Sequence, residues 1–260
     1  MARALTDADF IYRRPAHGFP HVVLLPGLVA GKWMWEPTLH ALHEAGYGYL
    51  TLVGPMAGEH DRAEPITGTV IELMDRCGIG SAALVGGSFG SLIALDCALR
   101  FPQRASMVAL SGAPGMFTAR DVAAPFKGKA TRTFGNALVD RLFFDRRCAP
   151  EYGVNETMML FQDQRRLAVA ARLMRESNHY DYAAALSKID ARVLMIWGAD
   201  DCISPCRLWE SHLAPSARRG MFFKIQRCGH VPMIERPRIF NALLMDQLAS
   251  APLGRFGHTS

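Results

Sequence analysis

The chain has 260 residues, of which 50% are hydrophobic and 20% are charged. This balance excludes an intrinsically disordered protein and is enough to bury the core of one mid-sized domain. The formal net charge is +5, and the basic residues are scattered in short pairs interspersed with acids, without an aromatic-rich basic stripe. This pattern indicates a solvated basic surface rather than a nucleic-acid-binding face.

The sequence predicts neither a membrane span nor an export signal. No run of about 18 apolar residues occurs, and residues 1–10 lack an apolar segment and contain two acids. The six cysteines have no zinc-type CxxC spacing. We therefore expect a cytoplasmic protein with reduced cysteines, no metal and no cofactor. A local disulfide between Cys202 and Cys228 is kept as the minor alternative.

The first half of the chain alternates short apolar runs with helical patterns, which is typical of βαβ units and a mostly parallel sheet. Each apolar run is followed by glycine within two residues. The predicted strands are residues 21–25, 49–53, 82–85 and 107–111. The predicted helices are residues 69–76 and 88–100.

The pattern changes at about residue 116. Up to residue 186 no strand is indicated, and amphipathic stretches such as Thr157–Glu176 occur instead. Strands are predicted again at residues 192–197 and 221–225, followed by a last helix at residues 237–250 and a frayed tail from residue 251. We interpret the chain as an α/β core, residues 1–115 and 187–260, with a helical lid inserted at residues 116–186.

Many apolar side chains lie in the predicted lid. They suit a cover over a hydrophobic acyl or polyketide-like substrate, and most of them would equally form the core of the lid itself. They are Met116, Phe117, Phe126, Phe134, Phe143, Phe144, Met158, Met159 and Phe161.

The strongest chemical motif is Gly86-Gly87-Ser88-Phe89-Gly90, a Gly-x-Ser-x-Gly between a predicted strand and a predicted helix. Glycine is needed on both sides because the serine lies in a turn so tight that other side chains would collide. The turn also places Ser88 at a helix N-terminus, where backbone N–H groups favour developing negative charge. The motif therefore predicts a nucleophilic serine.

A serine nucleophile needs a base, and the base needs a carboxylate to orient it. His230 follows a predicted strand and precedes the last helix, so it lies in a loop. Asp200 and Asp201 also follow a strand, and either one is a candidate acid. The other eight histidines show no metal-ligand spacing.

With these motifs the sequence resembles the α/β-hydrolase superfamily over nearly its whole length, less well in the insertion. The order Ser88, Asp201, His230 is the order of nucleophile, acid and base in that family. The family's acid loop commonly reads Gly-x-x-Asp-x-x-x-Pro, which matches Gly198, Asp201 and Pro205 and favours Asp201 over Asp200.

The resemblance extends to the histidine loop. Gly229 and His230 are followed by an acidic residue and a proline, Glu235 and Pro237, as in the family. It implies the α/β-hydrolase fold, a mostly parallel twisted sheet flanked by helices with an inserted helical lid. It also implies a catalytic triad of Ser88, Asp201 and His230.

The resemblance further implies an oxyanion hole, formed by the backbone N–H groups of Phe89 and Leu28. Here the chain departs from the family, since Pro26 stands where histidine is usual before Gly27. Leu28 keeps its N–H, so the donor survives, whereas the hydrogen bonding of the missing histidine does not. Trp33 and Trp35 follow this loop and are candidates to line the substrate pocket or to pack the neighbouring helix.

The expected activity is hydrolysis of a carboxylic ester or thioester of a small hydrophobic substrate through an acyl-enzyme. The expected partner is therefore a small molecule, with no nucleic acid and no membrane. The same fold also supports acyl transfer, lyase or cyclase chemistry and ligand-binding proteins, which stay open as alternatives. A nucleophilic aspartate, as in dehalogenases and epoxide hydrolases of the family, is argued against by Ser88.

Overall fold

The computed structural model describes residues 6, 8–16, 18–54, 56, 60–114 and 132–250. Within them, seven strands form one sheet in the order β1-β3-β2-β4-β5-β6-β7. All neighbouring strands are parallel except β1, which pairs antiparallel with β3. The strands are Phe10–Arg13 (β1), His21–Leu25 (β2), Gly48–Leu52 (β3), Ala82–Gly87 (β4), Ala105–Ser111 (β5), Arg192–Gly198 (β6) and Gly220–Ile225 (β7). The predicted mostly parallel sheet is confirmed.

Helices flank both faces of the sheet. The longer ones are Glu36–Glu44 (α1), Ala63–Arg76 (α2), Phe89–Arg100 (α3), Arg132–Leu142 (α4), Glu151–Gln162 (α5), Gln164–His179 (α6), Tyr182–Lys188 (α7) and Pro237–Ala249 (α8). Short helical turns occur at Lys32–Trp35, Pro102–Arg104, Arg146–Cys148, Cys206–Leu208, Trp209–Leu213, Ala214–Ser216 and Pro232–Glu235.

The core consists of two apolar layers, one on each face of the sheet. Strand β2 shows how the sequence builds both, because successive side chains of a strand point to opposite faces. Val23 and Leu25 belong to the layer that α2 and α3 cover. Val22 and Leu24 belong to the layer that α1 and α8 cover. A parallel sheet buried on both faces therefore requires the continuous apolar runs seen in the sequence.

The topology gathers the ends of six strands at one edge of the sheet. Strands β2 to β7 are all parallel to their neighbours, so the residues that follow them emerge at the same edge. The connection from β5 to β6 is the long one and carries α4 to α7. Residues that sequence separates widely can therefore meet at this edge.

The amphipathic stretch Thr157–Glu176 spans parts of two helices. Helix α5 ends at Gln162 and α6 begins at Gln164. The break lies at Asp163, whose carboxylate accepts hydrogen bonds from the N–H groups of Arg165 and Arg166 at 2.9 and 3.1 Å. An aspartate that caps a new helix in this way ends the preceding one.

Some residues that the sequence analysis singled out cannot be compared with the structure. Met116, Phe117, Phe126 and the tail 251–260 lie outside the described residues, as does the side chain of Phe134. None of the helices described is long and apolar enough to cross a membrane. None of the six cysteines is part of a disulfide, so Cys202 and Cys228 are not bonded to each other in this structure.

Candidate active site

The turn between β4 and α3 is built around Ser88. This residue has φ 52° and ψ −125°, a conformation that few non-glycine residues adopt. A Cβ on Gly86 would overlap the backbone of Gly90, and a Cβ on Gly90 would overlap the carbonyl of Leu25. Glycine is therefore required at both positions by close approach of the backbone, as the motif predicted.

Hydrogen bonds hold this turn against the end of β5. The N–H of Ser88 donates to the carbonyl of Ser111 at 2.8 Å. The hydroxyl of Ser91 is buried and contacts the carbonyls of Gly86 and Ser111 at 2.8 and 3.2 Å. Since these bonds occupy backbone atoms around Ser88, they fix its Cα and leave its hydroxyl at the N-terminal end of α3, where the helix dipole favours negative charge.

His230 and Asp201 form a buried pair, with 3% and 5% of their surfaces exposed. The imidazole Nδ1 lies 2.9 Å from Oδ2 and 3.1 Å from Oδ1 of the carboxylate. Oδ1 also accepts the N–H groups of Ile203 and Ser204 at 2.8 and 2.7 Å. A carboxylate that accepts from Nδ1–H leaves Nε2 as the basic nitrogen.

Asp200, the alternative acid, bonds to Cys228 and not to the imidazole of His230. Its carboxylate accepts the N–H of Cys228 at 3.3 Å, and its own N–H donates to the carbonyl of the same cysteine at 2.9 Å. It therefore joins the acid loop to the histidine loop, whereas Asp201 contacts the imidazole.

The histidine loop is anchored to the last residue of α4 and to the residues that follow this helix. The N–H of His230 donates to the carbonyl of Leu142 at 2.8 Å. Buried Glu235 accepts three backbone N–H groups, from Gly229 at 2.7 Å, Phe144 at 3.2 Å and Asp145 at 2.6 Å. Sequence reasoning noted Glu235 only as part of a motif and missed this role.

Gly112 packs directly beneath the imidazole. It follows β5 with φ 57°, and a Cβ at this position would lie 2.8 Å from Cε1 and 2.9 Å from Nδ1 of His230. Its position could have been predicted from the sequence, because this glycine directly follows a strand that ends next to the serine motif.

Ser88 and His230 line one cavity, together with Leu28, Phe89 and Trp33. The Ser88 hydroxyl makes no hydrogen bond to any residue that the structure describes. The backbone N–H groups of Leu28 and Phe89 likewise donate to no described residue. Residues that carry a serine hydroxyl, an imidazole and two backbone N–H groups without a described acceptor therefore line the same space.

The loop that carries Leu28 lies close over the serine turn. A Cβ on Gly27 would contact the Cβ of Ser88 at 3.4 Å, and the N–H of Gly27 points to Sδ of Met34 at 3.4 Å. The loop therefore holds its position through a sulfur contact and the backbone, without the histidine that Pro26 replaces.

The two tryptophans differ. Trp33 lines the cavity and packs beneath Gly153 of α5, whose Cβ would lie 2.6 Å from the indole ring. Trp35 is fully buried beside Gly87 and packs with Phe240 of α8 at a ring-centre distance of 6.1 Å. It is not among the described residues that line the cavity.

Cys228, two residues before His230, is unsuited to act as a nucleophile. Burial raises the pKa of the Cys228 thiol well above its usual range, and the negative charge of Glu235 raises it further. Since the thiolate is the reactive form, this thiol stays protonated and inert at neutral pH.

Comparison with known families agrees with the sheet order and the serine turn. The model of the alpha/beta hydrolase family matches residues 22–243. The chain belongs to this family.

Individual relatives of this alpha/beta hydrolase are distant and carry hydrolase names. A 2-hydroxy-6-oxononadienedioate/2-hydroxy-6-oxononatrienedioate hydrolase from Burkholderia vietnamiensis is 26% identical, with 94% of this chain and 92% of the relative covered. A pimeloyl-(acyl-carrier protein) methyl ester esterase from Aromatoleum aromaticum is 26% identical, with 87% and 97% covered. The structure of a meta-cleavage product hydrolase from Pseudomonas fluorescens IP01 superposes with a TM-score of 0.80 at 19% identity, covering 94% of each chain.

Proposed function

We propose that this alpha/beta hydrolase is a serine enzyme that cleaves a carboxylic ester or thioester of a small hydrophobic substrate through an acyl-enzyme. The observation that carries the proposal is the cavity that Ser88, His230, Leu28 and Phe89 line together, the last two with N–H groups that donate to no described residue. Nucleophile, base and oxyanion donors around one space are the requirements of acyl transfer to serine.

In the proposed mechanism, Nε2 of His230 takes the proton of Ser88 as the hydroxyl attacks the carbonyl carbon. Asp201 keeps Nδ1 protonated and stabilises the imidazolium that forms. The serine hydroxyl rotates toward Nε2 when substrate binds, since catalytic hydrogen bonds often tighten only in the complex. His230 then protonates the leaving group, and water attacks the acyl-enzyme with the same base.

The oxyanion of the tetrahedral intermediate is bound by the N–H groups of Leu28 and Phe89. Each such donor supplies about 3 kcal/mol of transition-state stabilisation. The dipole of α3 adds to this because Phe89 is its first residue.

We assign the helices between β5 and β6 the role of a lid. Three of them supply cavity walls, through Leu138 of α4, Thr157 of α5 and Met174 of α6. The wall is mainly apolar, which suits a hydrophobic acyl group and excludes water from the reacting atoms.

The test is labelling and turnover. Native protein should react with a fluorophosphonate probe and hydrolyse p-nitrophenyl esters, with the optimal chain length reporting the depth of the cavity. Ser88→Ala should lower kcat by roughly four orders of magnitude or more, while the matched variant Ser81→Ala, at an exposed serine before β4, should keep full activity. Turnover unchanged in Ser88→Ala contradicts the mechanism, and a native protein that is not labelled favours a ligand-binding role.

The relatives support one second candidate, hydrolysis of a carbon–carbon bond. The Burkholderia vietnamiensis relative is named for 2-hydroxy-6-oxo dienoic substrates. Ser88 would add to the 6-oxo carbonyl, the neighbouring carbon–carbon bond would break with its electron pair on the dienoate carbon, His230 would protonate that carbon, and water would release the acyl group. Loss of the absorbance of 2-hydroxy-6-oxo-6-phenylhexa-2,4-dienoate on incubation with the protein, faster than ester hydrolysis, would favour this reaction over the first.

A further inference from the structure

The loop of residues 26–28, which carries the Leu28 donor, is held by hydrogen bonds on both sides of Gly27. The carbonyl of Gly27 accepts the N–H groups of Ala30 and Met56, both at 3.4 Å. The N–H of Gly27 donates to Sδ of Met34, also at 3.4 Å, in a buried contact. Pro26 has no N–H to contribute. Both peptide groups of Gly27 are therefore fixed from outside the loop.

These bonds set the direction of the Leu28 N–H. Glycine has no Cβ and reaches many backbone conformations, so its neighbours must choose one. None of the described peptide bonds is cis, and in a trans peptide the C=O and the N–H point in opposite directions. The Gly27 carbonyl, held by Ala30 and Met56, therefore directs the Leu28 N–H the other way. The bond to Met34 stops the preceding peptide group from turning.

Met34 lies between this loop and the serine turn. It lines the cavity with Ser88 and Leu28, and its side chain is 1% exposed. A Cβ on Gly87 would lie 2.6 Å from Cε and 3.2 Å from Sδ of Met34. Gly87 occupies a position that the Gly-x-Ser-x-Gly motif leaves open to other residues. The space beside the nucleophile is therefore taken by the end of the methionine side chain.

We infer that Met34 is a positioning residue of the oxyanion hole, whose sulfur holds Gly27 so that the Leu28 N–H meets the developing oxyanion. The inference rests on the proposed function, since it concerns the same oxyanion hole. A thioether sulfur is a weak hydrogen-bond acceptor, and its effect here is on placement. An oxyanion donor acts only if it lies about 2.7–3.1 Å from the place that the charged oxygen will take.

An ester and its thionoester separate placement of the oxyanion from stability. O-p-Nitrophenyl thionohexanoate has sulfur in place of the carbonyl oxygen of p-nitrophenyl hexanoate, and the larger, weakly accepting sulfur gains little from the donors. We expect the wild type to have the higher kcat/KM for the ester. Met34→Leu should lower kcat for the ester by about tenfold or more with KM almost unchanged, and slow the thionoester by less than about threefold.

The control is Met107→Leu. Met107 is fully buried in the same apolar layer as Met34 and is not among the described residues that line the cavity. Exchange of methionine for leucine keeps the volume at both sites. Met107→Leu should keep the wild-type ratio of ester to thionoester turnover. Partial unfolding of either variant lowers both rates by the same factor, so it does not change this ratio.

Gly87→Ala reaches Met34 without removing its sulfur. The added Cβ would displace the end of the methionine side chain, and Gly87 is not among the described glycines with positive φ. The ratio of ester to thionoester turnover should fall, as in Met34→Leu. A shift of Ser88 would slow both substrates, because the same hydroxyl attacks both. Gly80→Ala, where a Cβ would meet no atom within 4 Å, should keep the ratio.

The outcomes separate the inference from the proposed function. A Met34→Leu variant with the wild-type ratio overturns the inference, as does a wild type that turns over ester and thionoester equally well. If Met34→Leu does not fold, Gly87→Ala decides, and an unchanged ratio in that variant overturns the inference. No ester turnover by the wild type, or equal turnover in Ser88→Ala, contradicts the proposed function instead.

Discussion

Gly112→Ala is expected to misplace the base while leaving the fold intact. The added Cβ would lie 2.8 Å from Cε1 and 2.9 Å from Nδ1 of His230, where carbon contacts normally begin at about 3.5 Å. The imidazole must therefore move by about 0.6 Å or more, which disturbs its hydrogen bond of 2.9 Å to Asp201. Misplacement of a catalytic group by about 1 Å can cost about 100-fold in rate.

A backbone penalty comes with the same substitution. Gly112 has φ 57°, and alanine in the left-handed region costs about 1–2 kcal/mol. Gly78 is a matched control, since its φ is 67° and a Cβ there would meet no atom within 4 Å. Gly78→Ala therefore carries the backbone penalty alone, whereas Gly112→Ala adds the overlap with His230 and should lose more stability as well as activity.

The assay has two parts. Urea denaturation gives the free energy of unfolding of both variants, and p-nitrophenyl ester hydrolysis gives kcat/KM. We expect kcat/KM of Gly112→Ala to fall about 10- to 100-fold below that of Gly78→Ala. If the two variants agree within about twofold while both are folded, the argument that Gly112 makes room for the imidazole is refuted.

Two further predictions concern stability. Glu235→Ala leaves three backbone N–H groups without their carboxylate and should lower the free energy of unfolding by about 3–5 kcal/mol, with Glu235→Gln in between, as measured by urea denaturation; wild-type stability of Glu235→Ala would contradict this role. Burial lowers the pKa of His21 below 6.5, so below pH 6.5 the unfolded chain binds more protons than the folded chain. The free energy of unfolding therefore decreases as the pH is lowered. His21→Asn should flatten this part of the profile of unfolding free energy against pH, and an unchanged slope would rule His21 out as its source.

The serine turn could be predicted from sequence because its constraints are local. Glycine on both sides of Ser88 is imposed by backbone atoms within a few residues and by the neighbouring loop. The parallel strands were predictable for a similar reason, since burial on both faces requires apolar runs. Strand β1 was missed because Phe10–Arg13 is a short, partly exposed edge strand without such a run.

Contacts between distant segments could not be predicted in this way. Glu235 accepts hydrogen bonds from residues 90 and 91 positions away, and no local pattern marks that pairing. The sequence analysis also did not identify Arg141 as a residue that lines the cavity, because arginines are mostly exposed and composition alone places this one on the surface. The catalytic roles of Ser88, Asp201 and His230 remain predictions, for which the structure supplies a consistent geometry.

The anchor formed by Leu142 and Glu235 limits how substrate range can be redesigned. Exchanging the helices between β5 and β6 for those of a relative would be the obvious way to graft a new pocket. Residues 142–145, however, hold the histidine loop through one carbonyl and two amides. A chimaera should therefore keep these four positions, with Glu235, as a fixed splice site and vary the sequence on either side of it.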